Sequence, residues 1–127
     1  MNTITVYRIE NKAGHGFYNC DGKDITQCPT YRQDHEKHPP ASREIMKTLR
    51  DKGWPTNMIF GFESLEKLKT WVHREDWAQF LDENGFDICG FKISEQHVLK
   101  DDVQVVFDRH EAEIFLCDSV HAVWSKI

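Results

Sequence analysis

Thr3-Ile4-Thr5-Val6-Tyr7-Arg8-Ile9-Glu10 opens the chain as a strand whose apolar row carries a charge. Side chains alternate faces along a strand, so Ile4, Val6 and Arg8 share one side. The Arg8 guanidinium therefore follows two β-branched residues toward the interior or a cleft. A charge placed there needs a partner or a ligand. Near the other end, Val103-Gln104-Val105-Val106-Phe107 repeats the arrangement with a neutral group, because Gln104 shares its face with Val106. The two segments together mark a candidate site without naming a reaction.

The bulk numbers bound what such a site can serve. A chain of 127 residues makes one domain, 1–127, large enough for a core without disulfides or metal. With 39% hydrophobic and 12% aromatic residues it is a globular chain rather than a disordered one. The net charge of -5 argues against general nucleic-acid binding, which a basic surface would have to supply. Lys47, Arg50 and Lys52 read as a solvated helix face. No signal-peptide pattern and no apolar run of membrane-spanning length is visible, so the expectation is a cytoplasmic protein with no membrane partner. In that compartment Cys20, Cys28, Cys89 and Cys117 are expected as free thiols, the last two as small core residues in apolar runs.

Outward from the first strand, Lys12-Ala13-Gly14-His15-Gly16 reads as a turn, and a polar stretch follows from Asn19 to Ala41. Its length points to a lid that covers or borders the site. Ser42 should cap a short helix carrying Ile45, Met46 and Leu49 and stopping at Gly53. Met58 to Phe62 reads as a buried strand. Ser64 should cap a second helix with Leu65, Leu68, Trp71 and Val72 on one face, and a third carries Trp77, Phe80 and Leu81 up to Asn84-Gly85. The period then shortens to two at Cys89, Phe91 and Ile93. Val103 to Phe107 and Ala112 to Cys117 supply two more strands, and Ser119 to Ile127 a final helical turn burying Val123 and Trp124. The order of elements predicts an α+β fold with a mostly antiparallel sheet and three short helices.

Three kinds of chemistry can be weighed against this layout. Cys20, Cys28, His35 and His38 have the donor types of a zinc site but not the spacing of a known finger, so no metal is assigned. Cys117 with His110 or His121 shows no nucleophile signature, and apolar neighbours would leave the thiol inert. Arg8 remains, either as a core ion pair or as an anion clamp suited to a pyrophosphate. Tyr18 could stack on a ring, and Ser64 is first a helix cap.

Two resemblances bear on these residues. Val6-Tyr7-Arg8-Ile9-Glu10, Gly14-x-Gly16-Phe17-Tyr18, the His-Pro loop, Phe62-x-Ser64-Leu65-Glu66-x-Leu68-x-x-Trp71 and Gln104-Val105-Val106-Phe107 resemble a group of small phage and prophage proteins, which brings no activity with it. More distantly, the order of elements resembles the ADP-ribosyltransferase fold. That likeness implies NAD as cofactor, with Arg8 on its pyrophosphate and Ser64 at the place of the central serine, while Tyr18 joins them as a ligand contact only on its own reading as a stacking ring. It implies Gln104 at the place of the catalytic glutamate. Gln104 is neutral and cannot stabilise a cationic transition state, so either Glu66, Asp101 or Asp102 supplies the carboxylate or the cleft binds without transfer. Whether the chain is an enzyme stays open on this reading. The expectation is a nucleotide cleft for NAD or ADP-ribose, with ADP-ribosyl transfer to a host target as its catalytic form. The alternative is an acidic interaction protein that inhibits a host or defence protein by occupying its basic site. Glu63, Glu66, Glu75, Asp76, Asp82 and Glu83 would form its surface.

Overall fold

Serine hydroxyls start the first two helices. Ser42 Oγ accepts from the Ile45 amide at 3.3 Å and Ser64 Oγ from the Lys67 amide at 3.1 Å, each satisfying a donor that a helix start leaves unpaired. The computed structural model describes residues 2–14, 42–53, 55, 57–102 and 104–127. In chain order the elements are β1 (Thr3–Glu10), α1 (Arg43–Asp51), β2 (Met58–Gly61), α2 (Leu65–Trp71), α3 (Glu75–Glu83), β3 (Asp87–Ser94), β4 (Val98–Lys100), β5 (Val105–Asp108), β6 (Glu113–Ser119) and α4 (Val120–Trp124). The third helix stops at Asn84, and Gly85 takes φ 82°, a left-handed turn that glycine adopts without a Cβ penalty.

The strands form two three-stranded antiparallel sheets, β1-β3-β6 and β2-β5-β4. The chain is thus α+β and antiparallel. The expected single sheet is split in two, and β4 adds a strand that alternation did not reveal. Val98-Leu99-Lys100 is too short to show a period, and its pairing with β5 is fixed by a turn: the Asp101 amide donates to the Gln104 carbonyl, and Asp101 Oδ1 accepts from the Gln104 amide at 2.8 Å. The final helical turn is α4, in which Val120 is the fully buried residue. Val123 and Trp124 are partly buried, with Trp124 Nε1 donating to the Val72 carbonyl at 2.6 Å.

Three apolar clusters show how the layers stack. Ile9 and Ile88 lie on one face of the first sheet, under Leu68, Trp71, Trp77, Ala78, Leu81 and Val120 from α2, α3 and α4 and under Val72, the C-cap of α2. Val6, Cys89, Phe91 and Ile93 lie on its other face, against Val105 and Phe107 of β5. Val106, between those two β5 residues, points the opposite way and packs on Ile45 and Leu49 of α1. The order is helices, sheet, sheet, helix, and the inter-sheet core lies between β1-β3 and β5.

Among the described residues the sheets meet at one bridge. Tyr7 and Phe62 exchange both backbone hydrogen bonds, each 2.7 Å. Gly61 lies against this crossing: a Cβ there would stand 2.5 Å from Val6 Cγ1, 2.8 Å from the Tyr7 carbonyl oxygen and 3.3 Å from Phe107 Cε1. A backbone oxygen and two core side chains leave no soft direction for relief. Gly61→Ala is therefore expected to lower stability by about 1–3 kcal/mol, the range of an overpacked core. A urea midpoint unchanged from the parent protein would show that the sheets can part at this point freely.

Candidate functional site

Past the Tyr7–Phe62 bridge, a continuous antiparallel ladder would pair Ile9 with Phe60. The strands separate instead, and Arg8 fills the gap. Its Nη1 donates to the Phe60 carbonyl at 2.9 Å, its Nη2 to the Gly14 carbonyl at 3.3 Å and its Nε to Glu10 Oε1 at 3.1 Å. The guanidinium does the work of the missing ladder bond and holds the following turn. Burial lowers its pKa from the ordinary value, with Glu10 opposing the shift, yet an arginine stays charged in a protein.

Glu10 is 3% exposed and pairs a second time, with Arg109 Nη1. Arg109 follows β5, and its amide donates to the Asn57 carbonyl at 2.8 Å. Its guanidinium carbon lies 5.2 Å over the Phe91 ring. Beside it, the Asp108 carboxyl is held below its ordinary pKa, chiefly by the Asn57 Nδ2 hydrogen bond at 2.9 Å. Arg8, Glu10 and Arg109 thus close one end of the inter-sheet core, two guanidiniums on one carboxylate. The core ion pair, one of the two readings of Arg8, is present. Neither Glu10 nor Arg109 stands out as a site residue from sequence alone. Glu10 carried a signal, since it lies two residues from Arg8 on the same strand face, whereas Arg109 looked like an ordinary turn residue.

Other expected site residues lie elsewhere. Ser64 Oγ caps α2, and the turn before Gln104 lies at the same end of β2, where Lys67 Nζ reaches the Asp102 carbonyl at 3.5 Å. Gln104 is buried at 7% exposed. Continuing the β2–β5 register places it across from Phe62, and alternation places it on the Val106 row, toward α1. Arg8 faces the inter-sheet core, so the structure groups Arg8 with Glu10 and Arg109, and Ser64 with the Gln104 turn, as two separate sets. Glu66 is exposed in the first turn of α2. Tyr18, the Asn19–Ala41 stretch and the Cys20, Cys28, His35 and His38 donor set lie outside the described residues. The ends flanking that stretch are placed: Gly14 lies at Arg8, and the Ser42 amide donates to Asp101 Oδ2 at 3.0 Å. Among the described residues no group of three or more His, Cys, Asp or Glu could hold a metal ion.

The acidic residues do not make one bare patch. Glu63 lies 3.8 Å from Lys67 and 4.0 Å from Lys100, Asp76 pairs with Arg74 at 2.5 Å, and Glu75 meets His121 at 3.1 Å. Among the described residues the large exposed apolar side chains are instead Ile114 and Phe115 on β6, an edge strand of the first sheet. A register shift at Gly90/Phe91 bulges Phe115 over Gly90, where a Cβ would lie 2.7 Å from the ring. Tyr7 meets that ring edge-on, with centroids 6.1 Å apart.

An α+β protein of two antiparallel sheets with a charged cluster at their junction is the class that the geometry defines. The family model described as Bacteriophage T4 Y00F protein matches residues 1–120, and the chain belongs to that family. No curated protein and no solved structure matches it, so these comparisons lend the ADP-ribosyltransferase likeness nothing. Among the described residues no helix is long and apolar enough to cross a membrane.

Arg8 holds two carbonyls and a carboxylate, so its removal should be felt in stability first. Arg8→Ala is expected to lose about 2–4 kcal/mol, the cost of unmaking a buried charged network. Arg8→Lys should recover only part, because an ammonium cannot span three acceptors as the fork does. Urea unfolding reads both, and a loss below about 0.5 kcal/mol for the alanine variant would mean the cluster is not structural.

Proposed function

We propose that the chain binds a phosphate-bearing nucleotide of the NAD or ADP-ribose class where the two sheets separate, with Arg109 facing its phosphates and Arg8 behind it, holding the cluster together. The observation that carries this reading is the charge count of the cluster. Two guanidiniums share one buried carboxylate, which leaves a net positive charge in a partly water-excluded place, and such a charge attracts a bidentate anion. Arg109 is the accessible member, with 29% of its side chain exposed against 11% for Arg8. The distant ADP-ribosyltransferase likeness supports the choice of nucleotide. It places its arginine on the same first strand, and the strand carrying Arg8 touches the one leading to Ser64. Binding without transfer is the form we assign, because the carboxylate of the cluster, Glu10, is already paired with both guanidiniums and Gln104 lies away from it on the α1 side of β5.

A second reading is favoured by β6. An edge strand presents unpaired backbone groups, and this one adds exposed Ile114 and Phe115 between Glu113 and Asp118. Its complement is a basic, extended segment of a host or defence protein, and a phage protein docked that way would act as an inhibitor.

Thermal-shift titrations separate the two. NAD and ADP-ribose should raise the melting temperature in a saturating way, and nicotinamide, which lacks phosphate, should not. Arg109→Gln should weaken binding by about tenfold or more while the protein stays folded. No shift with either nucleotide, or an equal shift in the variant, would overturn the nucleotide reading. For β6, a partner retained from host extract at low salt should be lost with Phe115→Glu and at high salt. Equal recovery with the parent protein and the variant would remove the edge strand from consideration.

A further inference from the structure

Cys89 of β3 and Cys117 of β6 are directly opposed in the antiparallel register, and their Sγ atoms lie 2.8 Å apart. Both are free thiols. Opposed residues in such a pair stand about 4.5–5.5 Å apart at Cα, inside the span of about 4.4–6.8 Å that a disulfide bridges without backbone movement. The two sulfurs differ in access. Cys89 is 1% exposed, next to Phe91 and Phe107, whereas Cys117 is exposed on the edge strand. The sequence pattern put both cysteines in the core. Cys117 departs from that expectation because β6 has no strand beyond it and its burial is low along almost its whole length.

We propose that Cys89 and Cys117 form a dithiol that closes to a cross-strand disulfide on exchange with a small disulfide such as oxidised glutathione. The Cys117 thiol, whose proton has Asp87 Oδ2 as a neighbour at 3.9 Å, is the sulfur an outside reagent reaches. As thiolate it attacks one sulfur of the reagent, whose S–S bond breaks and whose first thiolate leaves and takes up a proton. Cys89 then gives up its proton and attacks Cys117 Sγ, breaking the mixed disulfide and releasing the second glutathione, which takes that proton. Two protein thiols are oxidised and one glutathione disulfide is reduced to two thiols. The buried Cys89 meets no reagent directly and acts as the resolving sulfur. Closure ties the edge strand β6 covalently to β3 across 28 positions of sequence. It is reversed by excess reduced glutathione, as a cytoplasmic redox site requires.

The test uses the full chain in buffers of graded reduced and oxidised glutathione, quenched with a maleimide and mapped by peptide mass spectrometry without reduction. The expected product is one peptide pair linking Cys89 to Cys117. Its appearance should come with a rise in melting temperature of roughly 10 °C, which a reducing wash undoes. Cys89→Ser should trap glutathione on Cys117, and Cys117→Ser should leave Cys89 unmodified in the folded protein. Oxidation that leaves Cys89 and Cys117 both alkylated, or that pairs either with Cys20 or Cys28, would overturn the proposal. So would equal labelling of the two thiols in the native protein. None of these outcomes depends on nucleotide binding.

Discussion

Two backbone hydrogen bonds between Tyr7 and Phe62 decide where everything else in the described chain can lie, because they join strands that otherwise belong to different sheets. Had the pairing run on to Ile9 and Phe60, β1 and β2 would have fused the six strands into one sheet. Its two faces would then need covering along their whole length. The single bridge lets the sheets fold against each other instead, so that Val6 and Phe91 from one meet Val105 and Phe107 from the other. Gly61 permits the close approach. A larger residue would meet the Tyr7 carbonyl and the Val6 side chain together.

The separation creates a debt in hydrogen bonding, and Arg8 answers it. A carbonyl at the parting of two strands is partly withdrawn from water, and leaving it unmade would cost about 1–3 kcal/mol. The guanidinium reaches the Phe60 and Gly14 carbonyls and is itself balanced by Glu10. Arg109 adds a second cation to the same carboxylate and holds its guanidinium over the Phe91 ring. The cluster is thus structural in its inner half and positively charged in its outer half. The proposed role toward an anion does not compete with the role in the fold, since the first falls to Arg109 and the second to Arg8.

Helices were the most legible part of the sequence, for a local reason. Ser42, Ser64, Asn84 and Gly85 state where helices begin and end within a few residues of each boundary, and the apolar spacing of Ile45 with Leu49 and of Leu68 with Trp71 names their buried faces. The sheets were less legible because strand partners are long-range. Alternation at Cys89, Phe91 and Ile93 was readable, but Ile88 and Gly90 are buried as well, since β3 is covered on both faces by layers that the sequence does not order. The site divides in the same way. Arg8 and Gln104 stood out as polar residues on apolar rows, and both are largely buried. Their separation onto different sides of β5 depends on the split of the sheets, which no local pattern encodes.

β6 shows what the split leaves over. The first sheet ends at a strand with little burial, and such edges invite pairing with any extended chain. The bulge at Phe115 disturbs the ladder at its middle, and acidic residues lie on either side. Pairing β6 with a second copy in the register that sets Phe115 against Leu116 and Ile114 against Cys117 would bring the apolar residues of the two strands together. The same register opposes Glu113 to Asp118, so the two carboxylates repel where the side chains fit best. A basic extended segment meets the same surface without that conflict. The edge therefore disfavours its own copy by charge while leaving its apolar centre exposed, and the proposed reading of β6 as a docking edge for a basic segment rests on that combination.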